Sequence, residues 1–211
     1  MHVNSILRPL INMFESQKDV ETILSALGEQ LDQIAKEPFE LLVCGGSALN
    51  ISGLVQRATK DVDVLAHVKR DEKGKIQLIK ADPFNPELIT AAQKVARDFN
   101  LPENWLNPGP ASAVDLGLPE GIMERVQTRK FGRNLTIHFL GRYDQIHFKL
   151  YASVDQGAGK HFDDLLALKP TSEEIEKAAR WSMTHDVSEG FKESLKILLN
   201  HMGFNDVAER L

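Results

Sequence analysis

The stretch GGSALNISGLVQRATKDVDVL, Gly45 to Leu65, decides the fold of this chain. It follows Phe39-Glu40-Leu41-Leu42-Val43-Cys44, a short apolar run that reads as a buried strand entering a tight turn at Gly45-Gly46. Ser47 predicts the N-cap of a short helix through Ala48, Leu49 and Ile51, which Gly53 would end. Asp61-Val62-Asp63-Val64-Leu65 then alternates polar with apolar residues. The period of two puts both aspartates on one face of a strand and both valines on the other.

Each half of this segment suggests chemistry. A glycine pair lets the backbone approach a ligand closely, and a helix opening at Ser47 aims unsatisfied N–H groups at it, which suits a triphosphate seated at Gly45, Gly46 and Ser47. The segment is not a P-loop, since no Gly-Lys-Ser/Thr follows, nor a dinucleotide fingerprint, since GxGxxG is absent. Asp61 and Asp63 form the arrangement a hard cation such as Mg²⁺ or Mn²⁺ takes when it shares its shell with substrate phosphates. Two like charges so close repel unless a cation or a base offsets them. Singly, the halves are ambiguous: a Gly-Gly turn is commonly only a turn, and Asp-x-Asp commonly a strand edge. Arg57 is either a phosphate contact or the ion-pair partner of an aspartate.

Working outward, the 211 residues are 42% hydrophobic and 26% charged, close to the globular average and able to bury a core without a disulfide or structural metal. A single cysteine, Cys44, excludes a disulfide framework and a Cys-based zinc site and reads as a small core hydrophobe. No apolar run approaches the roughly 18 residues of a membrane span, and no signal-peptide apolar region precedes the first charges. A cytoplasmic location with no membrane partner is expected. With 25 Lys and Arg against 30 Asp and Glu, the net charge of −5 gives no global basic field for nucleic acid. The local cluster Arg125, Arg129, Lys130 and Arg133 is either a solvated surface or a stripe for a nucleic-acid substrate.

From Ile6 to about Ala35, Leu10, Phe14, Val20, Ile23, Leu24, Leu27, Leu31 and Ile34 recur at helical spacing. The charged Lys69–Lys80 stretch reads as a hairpin or a loop, and Pro86–Phe99 as a helix. Leu101–Gly121, with four prolines and three glycines, reads as a lid or an ordered loop. Leu135–Phe139 predicts a strand. Tyr143-Asp144-Gln145 opens a helix that Gly157 and Gly159 interrupt. Thr171-Ser172-Glu173-Glu174 and Asp186-Val187-Ser188-Glu189 both have capping-box spacing ahead of helical patterns. Trp105 and Trp181 read as packing residues. The predicted class is α+β: a small mixed sheet flanked by helices in residues 1–140, and a helical region in residues 141–211 packed on it.

The order and spacing of Gly-Gly-Ser and Asp-x-Asp resemble the signature of the nucleotidyltransferase fold, the superfamily of polymerase beta-like and antibiotic-adenylylating enzymes. With FKLYASVDQGAGKHFDDLLAL and PTSEEIEKAARW, the chain is similar over roughly Glu40 to Trp181 to the AbiEii-type nucleotidyltransferases, which include toxins of toxin–antitoxin and phage-defence systems. The resemblance implies a third motif at Lys149-Leu150-Tyr151-Ala152 and a fourth at Lys160 with Asp163 or Asp164. By itself Lys149 reads as a solvated lysine whose stem covers apolar surface; the resemblance makes it a phosphate-neutralising charge. His138 stands on the strand where many such enzymes present a third metal carboxylate, and no Asp or Glu is evident there.

The implied activity is transfer of a nucleoside monophosphate from an NTP to a hydroxyl of a tRNA, a protein or a small molecule, with a cognate antitoxin protein as a further implied partner. In that scheme Asp61 and Asp63 hold Mg²⁺ or Mn²⁺, Lys149 neutralises phosphates, and Asp163 or Asp164 orients Lys149 or helps deprotonate the acceptor. The alternative is a nucleotide-binding or partner-binding module that keeps the fold without turnover.

Overall fold

The Asp61–Leu65 alternation becomes the start of the central strand pairing in the structure, a computed structural model that describes residues 14–211. Ile6 and Leu10, at the start of the first helical pattern, lie outside the described residues. In chain order the elements are α1 (Gln17–Ile34), β1 (Phe39–Cys44), α2 (Gly45–Ile51), β2 (Val62–Arg70), β3 (Ile76–Lys80) and α3 (Pro86–Phe99). After β4 (Leu106–Asn107) and the short α4 (Ala113–Leu116) come β5 (Gln127–Lys130) and β6 (Leu135–Phe139). The chain ends in α5 (Arg142–Gln156), α6 (Lys160–Ala167), α7 (Ser172–His185), α8 (Glu189–His201) and α9 (Asn205–Arg210).

Local chemistry accounts for most boundaries. Ser16 and Asp19 close a capping box on α1, and Asn85 caps α3 ahead of Pro86 in its first turn. Thr171 and Glu174 form the predicted capping box on α7. The second predicted box shifts: Ser188 is the cap of α8, accepting from Phe191 N–H, while the Asp186 side chain accepts from Ser188 N–H in the preceding turn. Gly53, at φ +65°, ends α2 as expected, with its own N–H on Asn50 O and the Leu54 N–H on Leu49 O.

The strands form one mixed open sheet in the order β3-β2-β1-β6-β5, and the fold is α+β. β1 runs antiparallel to β2 and parallel to β6, while β3 and β5 flank as antiparallel edges. β4 runs parallel to β2 beside Val62 and Asp63, on the edge that β3 occupies further along. The Lys69–Lys80 stretch is thus a hairpin, whose turn is tied by the Asp71 carboxylate accepting from Lys73 and Lys75 N–H. β5 was not expected; it lies within the basic cluster.

One face of the sheet, through Leu41, Val43, Val62, Val64, Ile137 and Phe139, packs on α1 and α3 as a dry core. Fully burying each such side chain contributes about 1.5–3 kcal/mol. On the opposite face Leu42, Cys44, Leu65, Ala66 and Val68 form a smaller cluster. Leu65 and Ala66 both point there because the register slips between Leu42 and Val43, leaving Leu65 as an extra residue. Asp63 therefore pairs with Cys44 on the same side as this second cluster. A third cluster joins α5 to α9 and includes Leu49 of α2. Among the described residues no helix is long and apolar enough to cross a membrane.

Candidate functional site

The end of β1 and the start of β2 meet at Cys44 and Asp63, and Gly45 is what lets them meet. Gly45 sits at φ +75°, and a Cβ there would come within 2.1 Å of Asp63 Oδ2. The backbone turns helical immediately, so the extended Cys44 is the N-cap of α2 and supplies no side-chain cap. Ser47 is accordingly not the cap predicted for it. It lies within the first turn, fully buried, and its Oγ has no hydrogen-bond partner. Gly46 is equally enclosed: a Cβ there would press on Arg57 and Thr59, 2.9 Å away.

Asp61 and Asp63 share one side of β2, as the alternation predicted, and both open into a cavity of about 460 Å³ between the sheet and α5. Thr59 Oγ1 donates to Asp61 at 3.1 Å, and Asn107 of β4 donates its amide to Asp63 at 3.2 Å. Burial, followed by the neighbouring charge of Asp61, pushes the Asp63 carboxyl up to about 6; Lys149, Lys160 and the Asn107 hydrogen bond only partly oppose this.

Across the cavity, α5 presents Gln145, Lys149, Ala152 and Gln156, spaced along one helical face. The Lys149 ammonium is 3% exposed and lies 2.7 Å from Asp164 of α6, itself 1% exposed. Arg57 grips both oxygens of the same carboxylate, from Nε at 2.6 Å and from a terminal nitrogen at 2.8 Å. Burial works to raise the Asp164 pKa, yet the Arg57 hydrogen bonds and the Lys149 charge outweigh it and hold the carboxyl below its ordinary value. The structure thereby separates the two aspartates: Asp164 is the buried partner, and Asp163 is exposed on the outside of α6. Arg57 takes the ion-pair alternative, and its guanidinium is not part of the cavity wall. Gly45, Asp61, Asp63 and Lys149 are brought together in one cavity, whereas Gly46, Ser47, Arg57 and Asp164 form the layer behind it.

Lys160 and His161, at the start of α6, complete this flank. Burial, reinforced by Lys149 and Lys160, drives His161 down to about 4, so its ring is neutral at pH 7; its Nδ1 is buried without a partner. The opposite flank is aromatic, with Phe148 and Tyr151 from α5 and Trp181 and His185 from α7. Trp181 is therefore a cavity wall as well as a packing residue, while Trp105 is fully buried in the first core. The Pro- and Gly-rich Leu101–Gly121 stretch is ordered and roofs the cavity through β4 and α4. Aromatic spacing on α5 against α7 was the available signal for this flank, but the same pattern describes an ordinary helix contact.

His138 is held at both ring nitrogens, by Thr128 at 2.8 Å and Glu40 at 3.1 Å, and has a structural place in the sheet. Among the described residues no group of three or more His, Cys, Asp and Glu is arranged to hold a metal ion. The basic cluster is largely neutralised: Arg125 pairs with Asp144, Arg129 with Glu21 and Arg133 with Asp32. Comparison with family models, with curated proteins and with solved structures gave no match.

Proposed function

We propose that the cavity binds a nucleoside triphosphate together with a divalent cation and transfers its nucleoside monophosphate to an acceptor hydroxyl, on a nucleotidyltransferase-type fold. A bond forms between the acceptor oxygen and the α-phosphorus, the bond from the α-phosphorus to the α–β bridging oxygen breaks, pyrophosphate leaves with that electron pair, and the acceptor's hydroxyl proton passes to solvent water. The observation that carries this reading is that Asp61 and Asp63 share one cavity with the buried cation Lys149. The donor set fits a hard cation: two carboxylates whose mutual repulsion is only partly offset, few enough to leave most of the shell to phosphate oxygens and water. Asp61 and Asp63 would hold Mg²⁺ or Mn²⁺, which when bound offsets charge on the triphosphate.

The chain's own residues then divide the work. Lys149 and Lys160 supply positive charge to the phosphates from the α5–α6 side. Asp164 fixes the Lys149 ammonium, and Arg57 fixes Asp164; neither lines the cavity, so both are positioning residues. Asn107 holds one oxygen of Asp63.

The test is incubation with each α-labelled NTP, Mg²⁺ and total RNA or cell lysate, resolved on a gel that separates RNA from protein acceptors. Wild type should label an acceptor, and Asp61→Asn/Asp63→Asn should lower labelling roughly 100- to 1000-fold. Equal labelling by a folded double variant overturns the reading. A second reading, binding without turnover, is favoured by the structural tethering of His138 where a third carboxylate would stand. It predicts cation-dependent NTP binding in calorimetry and no labelled product.

A further inference from the structure

The charged half of the cavity accounts for a triphosphate and a cation, yet half of the wall is aromatic. Helix α5 divides the two. On its α6 side Lys149 meets Asp164, and on its α7 side Phe148 and Tyr151 meet Trp181, with ring centroids 5.2 and 6.3 Å apart. Both flanks belong to one continuous cavity.

The aromatic flank is a rigid surface. Trp181 and His185, one turn apart on α7, have ring centroids 4.0 Å apart. Their polar edges are already used: Trp181 Nε1 at 3.0 Å and His185 Nε2 at 2.8 Å both meet the carbonyl of Gly117. That shared acceptor ties the end of α4 to α7 and fixes both rings. The indole's one donor is consumed, so Trp181 offers the cavity a π-surface without hydrogen-bonding capacity. In the roof, the Asn107 amide is held by Asp63 and by Gly109 N–H.

We infer that this flank is the seat of the nucleobase, which it takes by stacking against the rings of Trp181, Tyr151 and Phe148, the last two inclined at 74° and 52° to the first, and not by reading the base edge. The inference rests on the nucleotidyl-transfer reading and adds to it the place of the base and the expectation of weak base selectivity. Every base has a π-face, so a stacking platform accepts all four, purines ahead through their larger area.

The chain contains 2 tryptophans, and Trp105 is 0% exposed with its Nε1 held by Ala92 O, so a change in emission on binding reports Trp181. Mg²⁺ with ATP, GTP, CTP, UTP or inorganic triphosphate is titrated while following fluorescence and, separately, calorimetry. All four nucleotides should quench emission with Kd values within about tenfold of one another. Inorganic triphosphate should bind without quenching. Trp181→Leu and Tyr151→Leu, each checked for an unchanged melting transition, should each raise the NTP Kd roughly 5- to 150-fold and leave the Kd of inorganic triphosphate unaltered. Should Trp181→Leu unfold the chain, Trp181→Phe serves, losing the quench while retaining most affinity.

Inorganic triphosphate binding as tightly as ATP, with the leucine variants unchanged, would overturn the stacking seat and leave the phosphate site standing. One nucleotide bound more than a hundredfold tighter than the others would overturn recognition by stacking alone. Failure of both triphosphate and nucleotides to bind would overturn the seat together with the function it rests on.

Discussion

Asp63 lines the cavity and Asp164 lies in the layer behind it, and the chain treats these two carboxylates in opposite ways. At the α5–α6 junction two cations converge on Asp164 and hold its pKa down. At the β1–β2 junction Asp63 has Asp61 beside it, an amide hydrogen bond, the more distant charges of Lys149 and Lys160, and a pKa still pushed up to about 6. Burial acts in the same direction on both, so the difference lies in the partners. A buried charge that the chain neutralises is part of the scaffold; one it leaves repelled is set for something brought in from outside. Under the proposed function, the contrast between a closed cluster and an open one separates the positioning layer from the binding layer.

The closed cluster is where the largest stability effect is expected. Asp164→Ala leaves the buried Lys149 and the partly buried Arg57 with no anion between them, and should cost about 3–5 kcal/mol in chemical denaturation at pH 7. Because the folded pKa of Asp164 is depressed, its contribution is complete above the ordinary carboxylate value of 3.8 and is lost as pH falls through the lower folded value. The gap between wild type and variant should hold from pH 7 to about pH 4 and narrow only below that. A gap under about 1 kcal/mol at pH 7 would mean that water, not the fold, serves the two cations, and the contrast between the clusters would collapse.

The two clusters were unequally legible in the sequence, for a physical reason. Gly45 and Asp63 belong to one strand–turn–strand passage, where a period of two and a turn residue are enough to put both aspartates on one face. What that passage does not carry is the register slip at Leu65, nor the seat of Ser47, which depends on how early the backbone turns helical after Cys44. The closed cluster joins Arg57, Lys149 and Asp164, and 107 residues separate the first from the last. Asp163 and Asp164 are neighbours of equal chemistry, and only the rotation of α6 against α5 decides which turns inward. The aromatic flank is harder still, since Phe148 and Tyr151 would look the same against a plain helix partner. The core faces of α1 and α3 were plain from spacing, because a dry interface needs only apolar area in the right period.

The open cluster should respond with the opposite sign. Raising a carboxyl from 3.8 to about 6 corresponds to roughly 3 kcal/mol against its ionised form. Asp63→Asn should therefore stabilise the cation-free protein by about 1–3 kcal/mol at pH 7, the lower end allowing for relaxation. For this group the sign is the reverse of that for Asp164. The folded state keeps its proton to higher pH than the unfolded chain, so the contribution of this group is greatest below 3.8 and is lost as pH rises through about 6. The variant's advantage should vanish below about pH 4. Added Mg²⁺ with ATP should raise the wild-type melting temperature and leave that of Asp63→Asn nearly unmoved. A destabilised variant would mark Asp63 as a structural partner of Asn107.

The smallest expected effect tests whether Gly45 serves the backbone or the carboxylate. At φ +75° any side chain is strained, which costs about 1–2 kcal/mol, and that part of Gly45→Ala is independent of what lies opposite. The remainder comes from the 2.1 Å approach of the new Cβ to Asp63 Oδ2, an atom at the free end of a side chain that can swing aside. Measured in an Asp63→Ala background, where that oxygen is gone, the alanine at 45 should retain only the backbone part. The cycle of the two substitutions should close with a coupling of about 0.5–1 kcal/mol. The single Gly45→Ala variant should also weaken binding of Mg²⁺ with ATP, because swinging Asp63 aside breaks its alignment with Asp61. A coupling of zero, with nucleotide binding intact, would assign Gly45 to the turn alone and leave Asp63 free to sit where it does without a glycine beside it.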